Sequence, residues 1–119
     1  MAAIDTALGR IGVIEQGEGA ATPIVFLHGV GSDKSVWAPQ LEHFGRSRRA
    51  IAFDYPGYGE SEFKPDATGD DFAAGILAGL DALGVDRAHI CGLSLGGVRT
   101  ALNLEKGVAM LEHVRGAAG

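Results

Sequence analysis

The chain has 119 residues, enough for one hydrophobic core of ordinary size and too few for two, so we treat it as a single unit. Its 46% hydrophobic and 21% charged residues exclude a disordered or fibrous chain, and no apolar window is long enough for a membrane span. The net charge of −5 argues against nucleic-acid binding, and the single cysteine, Cys91, excludes an internal disulfide and a CxxC metal site.

Two strands and a helix are predicted first along the chain. Residues 11–16 alternate in polarity. Residues 23–28 form a continuous apolar run, as a strand buried on both faces requires, and a glycine follows it. Residues 32–35 offer side chains that cap a helix, and Pro39 falls in its first turn, where a missing N–H costs little. The apolar positions of this helix are Trp37, Leu41 and Phe44.

A second helix follows the buried strand at residues 50–53. Asp70 or Asp71 can cap it, and Gly84 is placed to end it. Its apolar face consists of Phe72, Ile76, Leu80 and Leu83. Residues 88–93 predict the next strand, and a further helix is expected from Gly97 to about Glu105.

Strands that alternate with helices predict an α/β fold, a mostly parallel sheet with flanking helices. Ligands bind such sheets at the carboxyl ends of the strands, and three glycine-rich turns follow strands at that edge. The glycines of these turns are Gly29 and Gly31, Gly57 and Gly59, and Gly92, Gly96 and Gly97. None of the turns completes a nucleotide-binding fingerprint, so we expect no cofactor and no metal.

The third turn, Gly92-Leu93-Ser94-Leu95-Gly96, matches G-x-S-x-G between a predicted strand and a predicted helix. The sharp turn exposes the hydroxyl of Ser94 at the sheet edge, and side chains two residues on either side would collide. The helix that begins beside the serine offers free N–H groups and a positive dipole end to an oxyanion. This pattern indicates a nucleophilic serine.

Three ordered segments resemble the α/β-hydrolase superfamily, and among its members the enol-lactonases and small esterases. They are His28-Gly-Val-Gly31, Asp54-Tyr-Pro-Gly-Tyr-Gly-Glu-Ser61 and Leu83 to Gly97, and the likeness covers roughly residues 8–103. The resemblance implies that Ser94 attacks an ester, lactone or thioester carbonyl by an acyl-enzyme route. It also implies an oxyanion hole from the backbone N–H groups of Val30 and Leu95, and a serine at position 94 disfavours the family's aspartate-nucleophile hydrolases.

The resemblance extends only to the N-terminal half of that fold. The family's triad acid and histidine follow the serine on later strands, whereas residues 102–119 predict no further buried strand. We therefore expect one partial domain over residues 1–119, with a divergent tail at about 104–119, without the lid and without the usual triad Asp and His. The strand that carries Ser94 would then expose an edge to another chain.

Four histidines are candidates for the missing base. His89 begins the strand that Ser94 follows, which puts it roughly 16 Å away at the wrong end, and we exclude it. His28 lies at the right edge, where the resemblance assigns it to the oxyanion loop, with a catalytic role as the alternative. His43 is expected on a solvated helix face, and His113 could act only by folding back or in a partner chain.

Three other features have structural interpretations. Asp54 is expected to fix its own glycine turn, the alternative being the triad acid. Cys91 is expected to be a small hydrophobic residue in the sheet core. The basic cluster of Arg46, Arg48 and Arg49 is expected to be a solvated helix exit.

These patterns predict a serine hydrolase of small ester, lactone or thioester substrates, without nucleic-acid or membrane partners. No basic segment followed by a long apolar run opens the sequence, so we expect the protein in the cytoplasm. A homo-oligomer or a separate second half would pair through the exposed sheet edge. The alternatives are a catalytically inactive remnant or binding half, and a weak esterase that retains only its oxyanion hole.

Overall fold

A computed structural model describes residues 2–29, 31–62 and 69–93. Its strands are β1 (Ala2–Thr6), β2 (Gly9–Gln16), β3 (Ile24–Leu27), β4 (Ala50–Phe53) and β5 (His89–Gly92). A 3₁₀ helix (Lys34–Trp37) runs into α1 (Ala38–Phe44), and α2 (Gly69–Ala82) precedes β5. No helix in the described residues combines the length and the apolar character that a bilayer crossing needs.

The five strands form one sheet in the order β1-β2-β4-β3-β5. β3 is parallel to both β4 and β5, whereas β2 is antiparallel to both β1 and β4. The predicted α/β sheet with flanking helices is confirmed, and its described part is mixed. The antiparallel pairs come from an N-terminal hairpin whose first strand, β1, was not predicted because its five residues show no sustained alternation.

Among the described residues, each face of the sheet packs against one helix. Alternate residues of β3 and β4 point to opposite faces, which explains why both strands are apolar at every position. The residues on the α2 side include Val25, Leu27, Ile51, Phe53, Ile76 and Leu80. Those on the α1 side are Phe26, Trp37, Leu41, Ala50 and Ala52.

The predicted cap before α1 is confirmed and lies at Asp33. Its carboxylate accepts the N–H of Ser35 at 2.8 Å, and the chain forms one turn of 3₁₀ helix before α1 begins. The side-chain and backbone hydrogen bonds of Ser35 lower the pKa of the Asp33 carboxyl below its usual value. Pro39 falls in the first turn of α1, as expected.

The predicted start of α2 is wrong, and its predicted end is confirmed. The helix begins at Gly69, so Asp70 and Asp71 lie in its first turn, where negative charge also favours the helix dipole. At the other end Gly84 has a φ of 69°, its N–H donates to the Asp81 carbonyl, and the Val85 N–H donates to the Leu80 carbonyl. This pair of bonds is the Schellman arrangement that glycine favours. The helix predicted from Gly97 to Glu105 lies outside the described residues.

The basic cluster after α1 is solvated only in part. Arg46 has 73% of its side chain exposed. Arg48 donates to the Thr22 carbonyl, and Arg49 forms an ion pair with Glu15. Two of the three arginines therefore hold neighbouring segments, because their long side chains reach back over the amino ends of the strands.

Candidate active site

The carboxyl ends of β3, β4 and β5 meet at one edge of the sheet. Leu27 is in register with Phe53 on one side and with Gly92 on the other. The N–H of Leu93 donates to the Leu27 carbonyl at 2.9 Å and continues the β3–β5 pairing one residue past β5. The carboxyl ends of the three parallel strands therefore lie side by side, at the edge where ligands bind such sheets.

Several predicted site residues lie outside the described residues. They are Val30, Ser94, Leu95, Gly96 and Gly97, and the candidate base His113 is another. Ser94 is covalently next to Leu93, so the elbow motif follows directly from the edge just defined. The nucleophilic role of Ser94 and the oxyanion roles of Val30 and Leu95 stay predictions.

His28, the first residue after β3, is buried, and both of its ring nitrogens are engaged. Nδ1 lies 2.8 Å from the Gly29 carbonyl, and the N–H of Tyr55 donates to Nε2 at 3.4 Å. A carbonyl only accepts and a backbone N–H only donates, so the ring is the neutral tautomer with its proton on Nδ1. The lone pair that would take a serine proton is already used.

The surroundings of His28 keep it neutral. Its ring lies 4.3 Å from the ring of Tyr55 and 5.5 Å from that of Tyr58, centre to centre. Burial lowers the pKa of His28 below its usual 6.5, although the hydrogen bond to Gly29 and the charge of Asp54 act in the opposite direction. The ring is therefore suited to hold the loop after β3 and unsuited to act as a general base.

Asp54, the first residue after β4, is fully buried and holds two segments of the chain together. One carboxylate oxygen, Oδ1, accepts the backbone N–H of Lys34 at 2.8 Å. The other, Oδ2, accepts the Lys34 ammonium at 2.7 Å and the backbone N–H of Glu60 at 2.9 Å. Both oxygens thus bind groups other than a histidine, in the arrangement of a turn-fixing residue.

Lys34 is the cation of this buried cluster. Only 1% of its side chain is exposed, and its ammonium lies 2.7 Å from Asp54 and 2.7 Å from Glu60. Burial lowers the pKa of Lys34, but hydrogen bonds and attraction from the two carboxylates outweigh burial and leave the pKa raised. The two carboxylates therefore favour the charged form of this side chain. No sequence signal distinguished it from a surface lysine.

Close approach to the Asp54 carboxylate requires glycine at two positions. A Cβ at Gly12 in β2 would overlap Oδ2, and a Cβ at Gly59 would overlap the whole carboxylate, with a φ of 51° in addition. Ser61 completes the fit, since its Oγ donates to the Asp54 carbonyl at 2.8 Å and accepts the Gly12 N–H at 2.9 Å. Sequence reasoning missed Gly12, although an isolated glycine inside a strand is a known signal of close approach.

The other predicted supporting residues lie where the strand ends require. Gly29 is buried, and its carbonyl also accepts the N–H of Ser32 at 3.2 Å. Gly31 is exposed with a φ of 82°, and Gly92 is the last residue of β5. Within the described part of the chain, no group of three or more His, Cys, Asp or Glu side chains could hold a metal ion.

The remaining described histidines lie away from this edge, and the cysteine precedes the last residue of β5. His89 is in register with Ile24 at the amino end of β5, as predicted, and His43 is exposed on α1. Cys91 is half-buried and packs beside the cluster under α1. Burial raises the pKa of its thiol, so it behaves as the expected small hydrophobic residue.

Comparison with known proteins agrees with this architecture. A family model described as "Alpha/beta hydrolase family" matches residues 24–118. The 3-oxoadipate enol-lactonase 1 of Acinetobacter baylyi is 37% identical over 82 residues, which cover 69% of this chain and 30% of that protein. An uncharacterized carboxylesterase, nap, of Bacillus subtilis is 33% identical over 117 residues, which cover 97% of this chain and 38% of that protein.

A solved structure gives the same result for the fold. The enol-lactonase from Burkholderia xenovorans LB400 is similar with a TM-score of 0.72 and 28% identity, over 86% of this chain and 39% of that one. The chain thus spans about a third of the length of the relatives that it matches, and those relatives include hydrolases of ester and lactone bonds. The family match over residues 24–118 and the shared sheet show that this chain belongs to the alpha/beta hydrolase family.

Proposed function

We propose that this chain provides the nucleophile and the oxyanion side of a serine hydrolase that cleaves carboxylic ester, lactone or thioester bonds of small molecules. One observation carries the proposal. Leu27 is in register with Gly92, so the G-x-S-x-G motif and the loop after β3 follow in sequence from the ends of two adjacent strands. The two segments that the reaction needs, one for the nucleophile and one for the oxyanion, therefore leave adjacent strands.

In the proposed reaction the Oγ of Ser94 attacks the carbonyl carbon while its proton passes to a base. The carbonyl oxygen becomes an oxyanion that accepts the N–H groups of Val30 and Leu95. Collapse of the tetrahedral intermediate breaks the bond to the leaving alcohol, thiol or ring oxygen, which takes a proton from the base. Water then hydrolyses the acyl-serine and restores the enzyme.

The contacts of Gly29 support the role proposed for Val30. The Gly29 carbonyl accepts hydrogen bonds from His28 Nδ1 and from the N–H of Ser32. In a trans peptide the N–H points away from the carbonyl of the same group. The Gly29 carbonyl and the Val30 N–H belong to the same peptide group, so holding the carbonyl also orients the N–H before the reaction. Oxyanion stabilisation depends on donors that are oriented in advance.

We propose that the general base is not among the described residues. His28 has no free lone pair, His43 is exposed on α1, and His89 lies at the opposite end of β5. The base is then His113 or a histidine of a longer or separate chain. Among the described strands β5 pairs only with β3, so we propose that a further strand carrying that base pairs along its other side.

The engagement of both His28 nitrogens also favours one alternative, a catalytically inactive remnant or binding half of a hydrolase. Without a base, Ser94 would be no more nucleophilic than an ordinary alcohol. This chain would then have the fold of the family without catalysing its reaction.

Intact mass spectrometry after treatment with a fluorophosphonate distinguishes the two functions, because phosphonylation needs an activated hydroxyl. We expect a single adduct on the wild-type chain and none on Ser94→Ala. Circular dichroism of both samples is the control that tests whether they are folded. A folded wild-type chain that gives no adduct shows that this chain alone has no activated serine, which contradicts His113 as the base and leaves the inactive or binding half as the better description of this chain.

A further inference from the structure

We propose that Lys34 is a positioning residue, whose buried ammonium holds the loop after β3, residues 29–33, against the glycine turn after β4, residues 55–61. The proposal deepens the proposed function, since that loop contains the oxyanion donor assigned to Val30. It also makes a claim about the loop itself that can be measured without any reaction.

The loop is fixed at both of its ends. At its start the Gly29 carbonyl accepts from His28 and Ser32. At its end the backbone N–H and the ammonium of Lys34 bind the two oxygens of one carboxylate, that of Asp54. Such a two-point contact fixes position and orientation together, whereas a single ion pair allows the loop to swing about it.

The same ammonium reaches the glycine turn. It lies 2.7 Å from Glu60 Oε1, and the Glu60 backbone N–H donates to Asp54. Lys34, Asp54 and Glu60 therefore form a closed set of contacts between the two segments. Any movement of the loop relative to the turn must break at least one hydrogen bond to a charged group.

Stability alone does not account for a buried lysine here. Burying an ion pair costs desolvation that its attraction only roughly repays, and apolar replacements of equal size are often as stable. Lys34 also cannot act on the substrate directly, because its ammonium is 1% exposed and already holds two carboxylates. Its effect on a reaction must pass through the loop that it holds.

The expected consequence is a specific loss of transition-state stabilisation. An oxyanion donor contributes only when it is held in place, and removing one such donor slows reactions by about 10² to 10³-fold. Releasing the loop should therefore lower the rate of phosphonylation at Ser94 by up to that factor. The affinity for the reagent before reaction should change little, because the loop contributes to the charged transition state.

The variants are Lys34→Met, which removes the ammonium at similar size, and Lys34→Arg, which retains a cation. Glu60→Gln removes one partner at a half-exposed position and should fold even if Lys34→Met does not. The matched control is Arg46→Met, which breaks an exposed ion pair with Glu42 on α1. Each variant is measured for unfolding by urea, for backbone hydrogen exchange and for phosphonylation of Ser94.

We expect Lys34→Met and Glu60→Gln to raise exchange in peptides covering residues 29–36 and 55–62 by more than any rise in β3 and β4. We expect the maximal phosphonylation rate to fall, about 100-fold in Lys34→Met and less in Glu60→Gln, with partial rescue by Lys34→Arg and no change in Arg46→Met. Exchange that is unchanged in both segments, or raised equally throughout the sheet, overturns the proposal.

The two proposals fail separately. A wild-type chain that is not phosphonylated shows that this chain alone has no activated serine, and hydrogen exchange then decides alone whether Lys34 holds the loop. A wild-type chain that reacts, together with a Lys34→Met variant that exchanges faster in the loop but reacts at the wild-type rate, contradicts the link to the oxyanion and retains the hydrolase.

Discussion

Three glycines allow two causes of destabilisation to be measured separately. One cause is a left-handed backbone conformation, and the other is overlap of a Cβ with the Asp54 carboxylate. Gly84 has a φ of 69° and open space where a Cβ would lie. Gly12 has an ordinary strand conformation, but its Cβ would overlap Asp54 Oδ2. Gly59 combines both features, with a φ of 51° and an overlap with the carboxylate. Substitution of each by alanine therefore isolates strain, overlap and their sum.

Gly84→Ala should lower the free energy of unfolding by about 1 to 2 kcal/mol, the cost of a left-handed conformation for a residue with a Cβ. Gly12→Ala should cost about 3 to 5 kcal/mol, because the displaced carboxylate loses contact with Lys34, and breaking a buried ion pair costs that much. Gly59→Ala should cost about 4 to 7 kcal/mol, the sum of the two. A domain of ordinary stability, about 5 to 15 kcal/mol, would be largely unfolded by the last change at the lower end of that range.

Urea unfolding measures these differences, and the single tryptophan, buried Trp37, reports it by fluorescence. Gly12→Ala and Gly59→Ala act on the same carboxylate, so their double variant should cost less than the sum of the two, whereas Gly12→Ala and Gly84→Ala should add. A Gly12→Ala protein as stable as Gly84→Ala, or fully additive effects of Gly12→Ala and Gly59→Ala, would refute the reasoning.

Two further predictions concern the same edge of the sheet. Because burial lowers the pKa of His28, its contribution to stability is complete above pH 6.5 and is lost as the pH falls below that value, with a slope of at most about 1.4 kcal/mol per pH unit. Urea midpoints between pH 7.5 and about 5 should therefore fall more steeply for the wild type than for His28→Gln, and parallel profiles would contradict the burial argument. Ser61→Ala should cost about 1 to 3 kcal/mol because it leaves the buried N–H of Gly12 without a partner, whereas Ser47→Ala, at an exposed hydroxyl, should leave the urea midpoint unchanged. Equal midpoints for the two serine variants would show that the Gly12 N–H does not depend on the hydroxyl.

Sequence patterns predicted the parallel part of the fold because its strands are buried on both faces. β3 and β4 are apolar at every position, and the turns after them contain the glycines that their geometry needs. The end of α2 was equally readable, since Gly84 occupies the position that favours a left-handed residue. Local chemistry alone decides such features, so a single sequence is sufficient to find them.

Long-range contacts were not predictable in the same way. Lys34 and Asp54 are separated by 20 residues, and neither residue type nor spacing indicates that the lysine is buried. Gly12 and Asp54 meet only because β2 pairs with β4. β1 was missed for a related reason, since its strand character comes from pairing with β2 rather than from its own pattern. These features depend on which strands become neighbours, which is a property of the whole sheet.

The described contacts divide the proposed site into two parts with different origins. We propose that the oxyanion side depends on the hydrogen-bonded network of Gly12, Lys34, Asp54, Glu60 and Ser61, all of which precede the elbow in the chain. In the proposed function, activation of Ser94 depends instead on a base from outside the described residues. Oxyanion stabilisation and binding alone can retain about 10³ to 10⁴-fold catalysis over water when triad members are lost. Loss of the base should therefore lower the reactivity of the Ser94 hydroxyl. Loss of the Lys34 contacts should lower the stability of the oxyanion instead. When a base is supplied to this chain, removal of the base and removal of the Lys34 contacts should each lower the rate by its own factor, and the two factors should multiply.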